Sequence, residues 1–275
     1  MIKPVIAAAL IAFSGVSAFA ADMVEPPIVE APPYQEPAPD FGGWYIRGDL
    51  DYHWADFRGA EYITDGGPCC GPGTNSLGGD LDGAFSLGGG IGYQITNYLR
   101  TDLTADYWFD SDFNGSTTGD CGGGVICTST DSSSWSAWLL LANAYADLGT
   151  YYGFTPYVGA GIGGAHVKWD DLHNTIGPDT FVHEGDENWR FAWALMAGTA
   201  YCLTDNLKLD VGYRFSHING GRMFEIAAGQ PGPGFDDGFN VHEARAGLRY
   251  QFGGDSGCGV PPAPYEPEPV TPVYK

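Results

Sequence analysis

Four groups of residues in this chain have the types and spacing that chemistry uses. Ser216-His217 sets a hydroxyl beside a base, but a nucleophile in step with His217 would have to stand two residues on, and that residue is Asn219. Gly159-x-Gly161-x-x-Gly164 matches a dinucleotide-binding spacing. That fingerprint needs a helix after it, whereas this run lies inside an alternating strand, where glycine serves close packing. His173, His183, Glu184, Asp186 and Glu187 are donor types for a cation, yet their segment is long and acidic and reads as a solvated loop. No catalytic, cofactor or metal site is therefore assigned. The fourth group is the most ordered: charged residues of both signs that recur at every second position.

Those charges define the elements that carry them. In residues 44–54 the even positions are apolar and the odd ones largely polar, including Arg47, Asp49 and Asp51. Residues 99–110 set Leu99, Leu103 and Tyr107 against Arg100, Asp102, Asp106 and Asp110. Residues 207–216 set Leu209, Val211 and Tyr213 against Lys208, Asp210 and Arg214, and the last run sets Leu248 and Tyr250 against Glu243, Arg245 and Arg249. A period of two is the mark of a strand with two unlike faces. Segments 83–95, 135–148, 154–169 and 189–202 fit more loosely, which makes eight strands. The connections alternate. Residues 96–98, 149–153 and 203–206 are short turns, whereas 58–82, 110–134, 170–188 and 218–238 are long and polar.

Short turns at one end, long loops at the other and an even number of long strands predict an all-β fold. The expectation is an eight-stranded antiparallel transmembrane β-barrel with long extracellular loops and short periplasmic turns. Trp54, Trp108, Trp135, Trp138, Trp169, Trp189 and Trp193 fall near the long-loop ends. Trp44, Tyr98, Tyr151, Tyr152, Phe154, Tyr201, Tyr250 and Phe252 fall at the other, so the expectation is two interfacial girdles. The polar face then points inward, where an eight-stranded barrel is just wide enough for side chains to fill it. Arg47, Asp49, Asp51, Arg100, Asp102, Asp106, Lys208, Asp210, Arg214, Glu243, Arg245 and Arg249 are accordingly expected to form an ion-pair network that closes the lumen, since unpaired charges there are costly.

Composition agrees. The net charge is −22, with 12 Lys+Arg against 34 Asp+Glu, 14% aromatic residues and 42 glycines. So few cations exclude a nucleic-acid partner. Half of the acidic residues lie in the four long connections, whose only cations are Arg58 and Arg222. Residues 1–20 combine Lys3, an apolar run and Ala18-Phe19-Ala20, the pattern of an export signal. Residues 21–40 and 253–275 are Pro-rich and expected to be extended periplasmic segments, which leaves 41–252 for the barrel. Export suits disulfides. With Cys69, Cys70, Cys121 and Cys127 on the extracellular side and Cys202 and Cys258 on the periplasmic side, three pairings remain. The favoured one joins Cys121 to Cys127 and Cys202 to Cys258, and leaves Cys69 and Cys70 as an improbable vicinal pair.

The runs Gly43-Trp44-Tyr45-Ile46-Arg47-Gly48, 156–163, Gly212-Tyr213-Arg214-Phe215 and Ala246-Gly247-Leu248-Arg249-Tyr250-Gln251-Phe252 resemble those of small outer-membrane β-barrel proteins of Gram-negative bacteria, of the OmpA-like and rhizobial RopB type. The resemblance covers about three-quarters of the chain. It implies the outer membrane as location, lipid and lipopolysaccharide as surroundings, and a non-enzymatic envelope role. Divalent ions bridging the acidic outer face to lipopolysaccharide are a further expectation. In some lineages such a barrel is joined to peptidoglycan through its mature N-terminus, here Ala21. Lys275 resembles the C-terminal lysine by which a major lipoprotein is attached, and a plain terminus is the alternative reading for both. A narrow channel and an adhesin using the acidic loops are the alternative functions. Oligomeric state has no signal in the sequence.

Overall fold

The computed structural model describes residues 42–65, 72–120, 124–225, 233–254 and 256–258. Alternation dictates the wall. Eight strands, β1 (Gly43–Phe57), β2 (Ala84–Gln94), β3 (Leu99–Asp120), β4 (Thr130–Asp147), β5 (Phe154–Trp169), β6 (Glu187–Cys202), β7 (Leu207–Ile218) and β8 (Phe239–Phe252), each pair antiparallel with their chain neighbours. β8 then pairs with β1, from Trp44 opposite Phe252 to Phe57 opposite Phe239, and the ring closes. Along β1 every odd residue from Gly43 to Ala55 is buried and every even one exposed. The exposed set is a band of Ile46, Leu50, Leu87, Ile91, Leu103, Leu140, Val158, Ile162, Leu195, Val211 and Leu248 around the outside. Water would not tolerate so continuous an apolar belt; hydrocarbon does.

Two of the short turns share a device. Thr96 Oγ1 accepts from the amides of Tyr98 and Leu99, and Thr204 Oγ1 accepts from those of Asn206 and Leu207. A threonine hydroxyl so placed satisfies turn amides that lack a ladder partner. In the third turn, positive φ at Gly149, Tyr152 and Gly153 reverses the chain.

The long connections are where the structure departs most from expectation. Their described residues are largely strand. Residues Pro72–Leu81 pair with the upper part of β3, Ala60–Asp65 with Pro72–Leu81, Gly234–Asp236 with Ala60–Asp65, and Gly221–Phe224 with Gly234–Asp236. On the other side Leu172–Ile176 pairs with upper β4, and Asp179–His183 with Leu172–Ile176. The two flaps meet where Gly185 bridges to Phe224, the Asp186 amide donates to Met223 O at 3.2 Å and the Glu225 amide to Glu184 O at 2.8 Å. The wall thus continues above the apolar belt as a second tier of shorter strands.

The interior has two layers. Towards the short turns it is polar and charged. Towards the second tier it is a single apolar cluster that includes Trp108, Trp135, Trp169, Phe113, Phe239, Phe224, Leu139, Val167 and Ile218. Trp108, Trp135 and Trp169, expected in the outer girdle, are 0%, 1% and 2% exposed and fill the barrel instead. Parity explains this, because Trp108 shares a face with Asp106. Trp54, Trp138 and Trp189 do face outward. A register shift between Trp108 and Ser111 then turns the strand over, so Asp110, expected inside, is exposed and Phe113 is buried.

Candidate functional site

The charged layer is the feature that the fold most clearly assembles. Arg47 forks onto Asp49, with Nη2 to Oδ1 at 2.7 Å, and reaches Asp102 at 3.3 Å. Arg214 lies between two carboxylates, donating to Asp106 at 2.9 Å through Nη1 and to Glu243 through Nε and Nη2. Arg245 contacts Asp49, Asp51 and Asp106 at 3.1 to 3.4 Å. Arg100 donates to Asp147 at 3.0 Å, and Arg249 stands 3.8 Å from Asp210. Among the described residues no carboxylate lies within ion-pair distance of Lys208, whose Nζ donates to Ser256 O at 2.6 Å. All twelve charged residues of the alternating set are buried.

Neutral groups complete the lattice. Tyr45, Tyr145 and Asn143 donate to Asp102, Tyr157 donates to Asp210 at 2.5 Å, and the Trp108 indole donates to Glu243 at 2.9 Å. Periodicity of charge does not single out the neutral partners, and Asp147 stands in a segment, 135–148, that is otherwise largely apolar. Strand parity was the available signal: Asn143, Tyr145 and Asp147 share the inward face of β4. A buried ion is tolerable where its lone pairs and protons are matched in this way.

Glycine makes the room. Gly88, Gly90 and Gly92 form the inward face of β2 between Ser86 and Gln94. A Cβ at Gly88 would overlap the Asp106 carboxylate, one at Gly92 the Tyr45 ring, and one at Gly247 the Asp49 carboxylate. The long side chains of β1, β3 and β8 cross the lumen through the space these residues leave.

The family model described as outer membrane protein beta-barrel domain matches residues 6–252. The chain belongs to that family. This outer-membrane β-barrel is 38% identical over 278 residues to an uncharacterised protein of Brucella abortus, covering 86% of this chain and 93% of that one. It is 30% identical over 149 residues to the outer membrane protein PagN of Salmonella typhimurium, covering 51% of this chain and 59% of PagN. Among solved structures it is similar to Neisserial surface protein A, at a TM-score of 0.45 and 18% identity over 76% of this chain and 97% of that one. The protein is located in the outer membrane.

Ser216 is buried inside, whereas His217 is on the outer face against Trp193, so the wall separates them. Gly159, Gly161 and Gly164 lie within β5, where Gly161 faces Asn143. His183 is buried against Phe224, with ring centroids 5.1 Å apart, and His173 stands cross-strand from Val182. Among the described residues, no three His, Cys, Asp or Glu side chains converge as a metal site. Cys202 and Cys258 are joined as a disulfide. Cys127 is disulfide-bonded, while Cys69, Cys70 and Cys121 lie outside the described residues, as do Ala21 and Lys275.

Proposed function

We propose that this protein is a sealed, load-bearing barrel of the outer membrane, oriented with its short turns towards the periplasm. The observation that carries this reading is the interior, occupied by ion pairs in one layer and by tryptophan and phenylalanine rings in the next. A hydrated solute would have to break several matched ion pairs and then cross a dry layer, each step costing several kcal/mol. The expected result in a planar bilayer is silence; a stable open conductance step would overturn the reading in favour of a narrow channel.

A sealed barrel serves the envelope mechanically. The finer role is a tether to peptidoglycan, through the mature N-terminus at Ala21 or through Lys275. Two features support it: the Pro-rich composition of 21–40 and 253–275, and the disulfide that fastens the start of the C-terminal segment to the barrel rim. Muropeptide mass spectrometry tests it, the expected finding being a peptide that starts at Ala21 or ends at Lys275. Envelope sacculi free of both would leave only the sealed barrel. The acidic exterior of the second tier supports bridging by divalent ions to lipopolysaccharide.

A further inference from the structure

The chain contains two Asn-Gly pairs, Asn114-Gly115 and Asn219-Gly220, and the fold treats them differently. An asparagine followed by glycine is inherently reactive. Its side-chain amide lies within reach of the next backbone nitrogen, and glycine has no Cβ to hinder the approach. The backbone supplies the restraint, because a residue paired on both sides must leave its ladders before its carboxamide can turn onto that nitrogen. Asn114 is restrained in this way. It stands in β3 opposite Asp80 on one side and Ser132 on the other, and Gly115 stands opposite Gly79 and Asp131. Asn219 is placed otherwise. It follows Ile218, the last residue of β7, and neither Asn219 nor Gly220 belongs to a strand. Both are exposed. The Asn219 amide donates to Phe191 O at 3.1 Å, which anchors the residue from behind and leaves the bond that must rotate, between its Cα and carbonyl carbon, outside any ladder.

Packing makes this glycine obligatory. A Cβ at Gly220 would overlap Asp236 O, and one at Gly221 would crowd Asn188 Oδ1 and Arg190 Nε. The passage from β7 to the Gly221–Phe224 strand therefore admits no side chain, and the reactive pair is built into it. The same passage bears on the second tier. Arg190 donates to Asp236 at 2.7 Å and to Arg222 O at 2.9 Å, and Asn188 donates to Arg222 O at 2.8 Å. These bonds fasten the Gly221–Phe224 and Gly234–Asp236 strands to β6, directly beyond Asn219-Gly220.

We propose that Asn219 is a site of spontaneous covalent modification, converting to aspartate and isoaspartate, and that the conversion loosens this part of the second tier. The Gly220 nitrogen gives up its proton to solvent and attacks Asn219 Cγ. A bond from that nitrogen to Cγ forms, the bond from Cγ to Nδ2 breaks, and the amide group takes a proton from solvent and leaves as ammonia. One water then opens the cyclic imide. Opening at Cγ gives aspartate; opening at the backbone carbonyl carbon gives isoaspartate, whose main chain runs through Cβ and Cγ and is longer by one carbon. Nothing is oxidised or reduced, and water is the only co-reactant. Either product adds a negative charge close to Asp236 and Asp237. Isoaspartate also shifts Gly220 and Gly221 out of the passage that they alone fit, and so strains the bonds from Arg190 and Asn188 to Arg222 O. The site does not depend on which side of the membrane it faces or on whether the barrel conducts.

The test uses the full-length protein folded in detergent micelles and aged at mildly alkaline pH in water enriched in heavy oxygen. Peptide mass spectrometry should find Asn219 converted, with one heavy oxygen taken up per event and isoaspartate among the products. Conversion at Asn219 should run at least about tenfold faster than at Asn114, which has to open its ladders first. In urea-unfolded protein the two pairs should convert at similar rates. Protease should cut the second tier of aged protein faster than that of fresh protein, and Asn219→Gln should abolish the difference. Asn219 intact in the folded protein while the unfolded chain converts, or Asn114 converting as fast as Asn219, would overturn the modification. Equal cleavage of aged and fresh protein would overturn the loosening. The labelling and cleavage measurements on the unaltered protein decide the matter even if Asn219→Gln fails to fold.

Discussion

At the scale of single residues, the interior behaves as a lattice in which side chains and glycines are complementary. Gly88→Ala should be severely destabilising, because the new methyl group meets the Asp106 carboxylate that Arg214 and Arg245 both use. Gly89→Ala, one residue on and facing out, meets nothing closer than Arg47 O at 3.4 Å and should be tolerated. Urea unfolding of the two variants side by side checks the contrast. Arg214→Met strips Glu243 of its cation and leaves Asp106 to Arg245 alone, and should cost roughly 3–5 kcal/mol in the same measurement. The charged members of this lattice were legible in the sequence, since a strict period of two puts Arg100, Asp102 and Asp106 on one face. The tyrosines were not. A tyrosine on an alternating strand suits a lipid-facing girdle as well as a lumen, and only parity against its neighbours separates Tyr145 from Tyr250. The turnover of β3 between Trp108 and Ser111 has no sequence mark at all, because Phe109 and Asp110 continue the alternation in appearance.

At the scale of elements, the eight membrane strands were readable and the second tier was not, for one physical reason. A strand beside hydrocarbon must be uniformly apolar on that side, so its period shows. Above the belt the outer face meets water, and the strands around Gly73-Thr74-Asn75-Ser76 or Ser132-Ser133-Ser134 mix small polar residues on both faces. Backbone pairing holds them, and backbone pairing leaves no trace in residue type. The tier depends on its apolar filling, so Phe113→Ala should cost about 3–5 kcal/mol and expose the tier to protease. It should also respond to acid. Burial lowers the pKa of His183 below its ordinary value, so the folded tier binds fewer protons than the unfolded chain. Stability from this residue is complete above about pH 6.5 and is lost as the pH falls below it. Burial raises the pKa of Asp236, an effect that Arg190 at 2.7 Å only partly offsets, and this favours the folded form as the pH falls. Limited proteolysis at pH 7.5 and 5.5 should show faster cleavage in acid, and His183→Gln should remove the acid-sensitive part.

At the scale of the whole molecule, two separate means of closure are stacked along one axis, with ions below and rings above. Opening either layer alone leaves the other shut, so Trp135→Ala or Asp51→Asn singly should remain non-conducting in a planar bilayer, and only their combination should admit current. The −22 charge is distributed accordingly: it is largely neutralised inside, where carboxylates find guanidinium partners, and the excess lies in the second tier and the terminal segments. The Cys202–Cys258 bond has a mechanical meaning as well. Phe252 ends β8, and a chain pulled from there would peel β8 away from β1 one residue pair at a time, the weakest way to load a sheet. The disulfide moves the point of loading. Any force on residues beyond Cys258 enters the barrel at Cys202, the last residue of β6, which is paired to β7 on one side and whose amide donates to Gly153 O on the other. The strand that closes the ring is thereby spared the load.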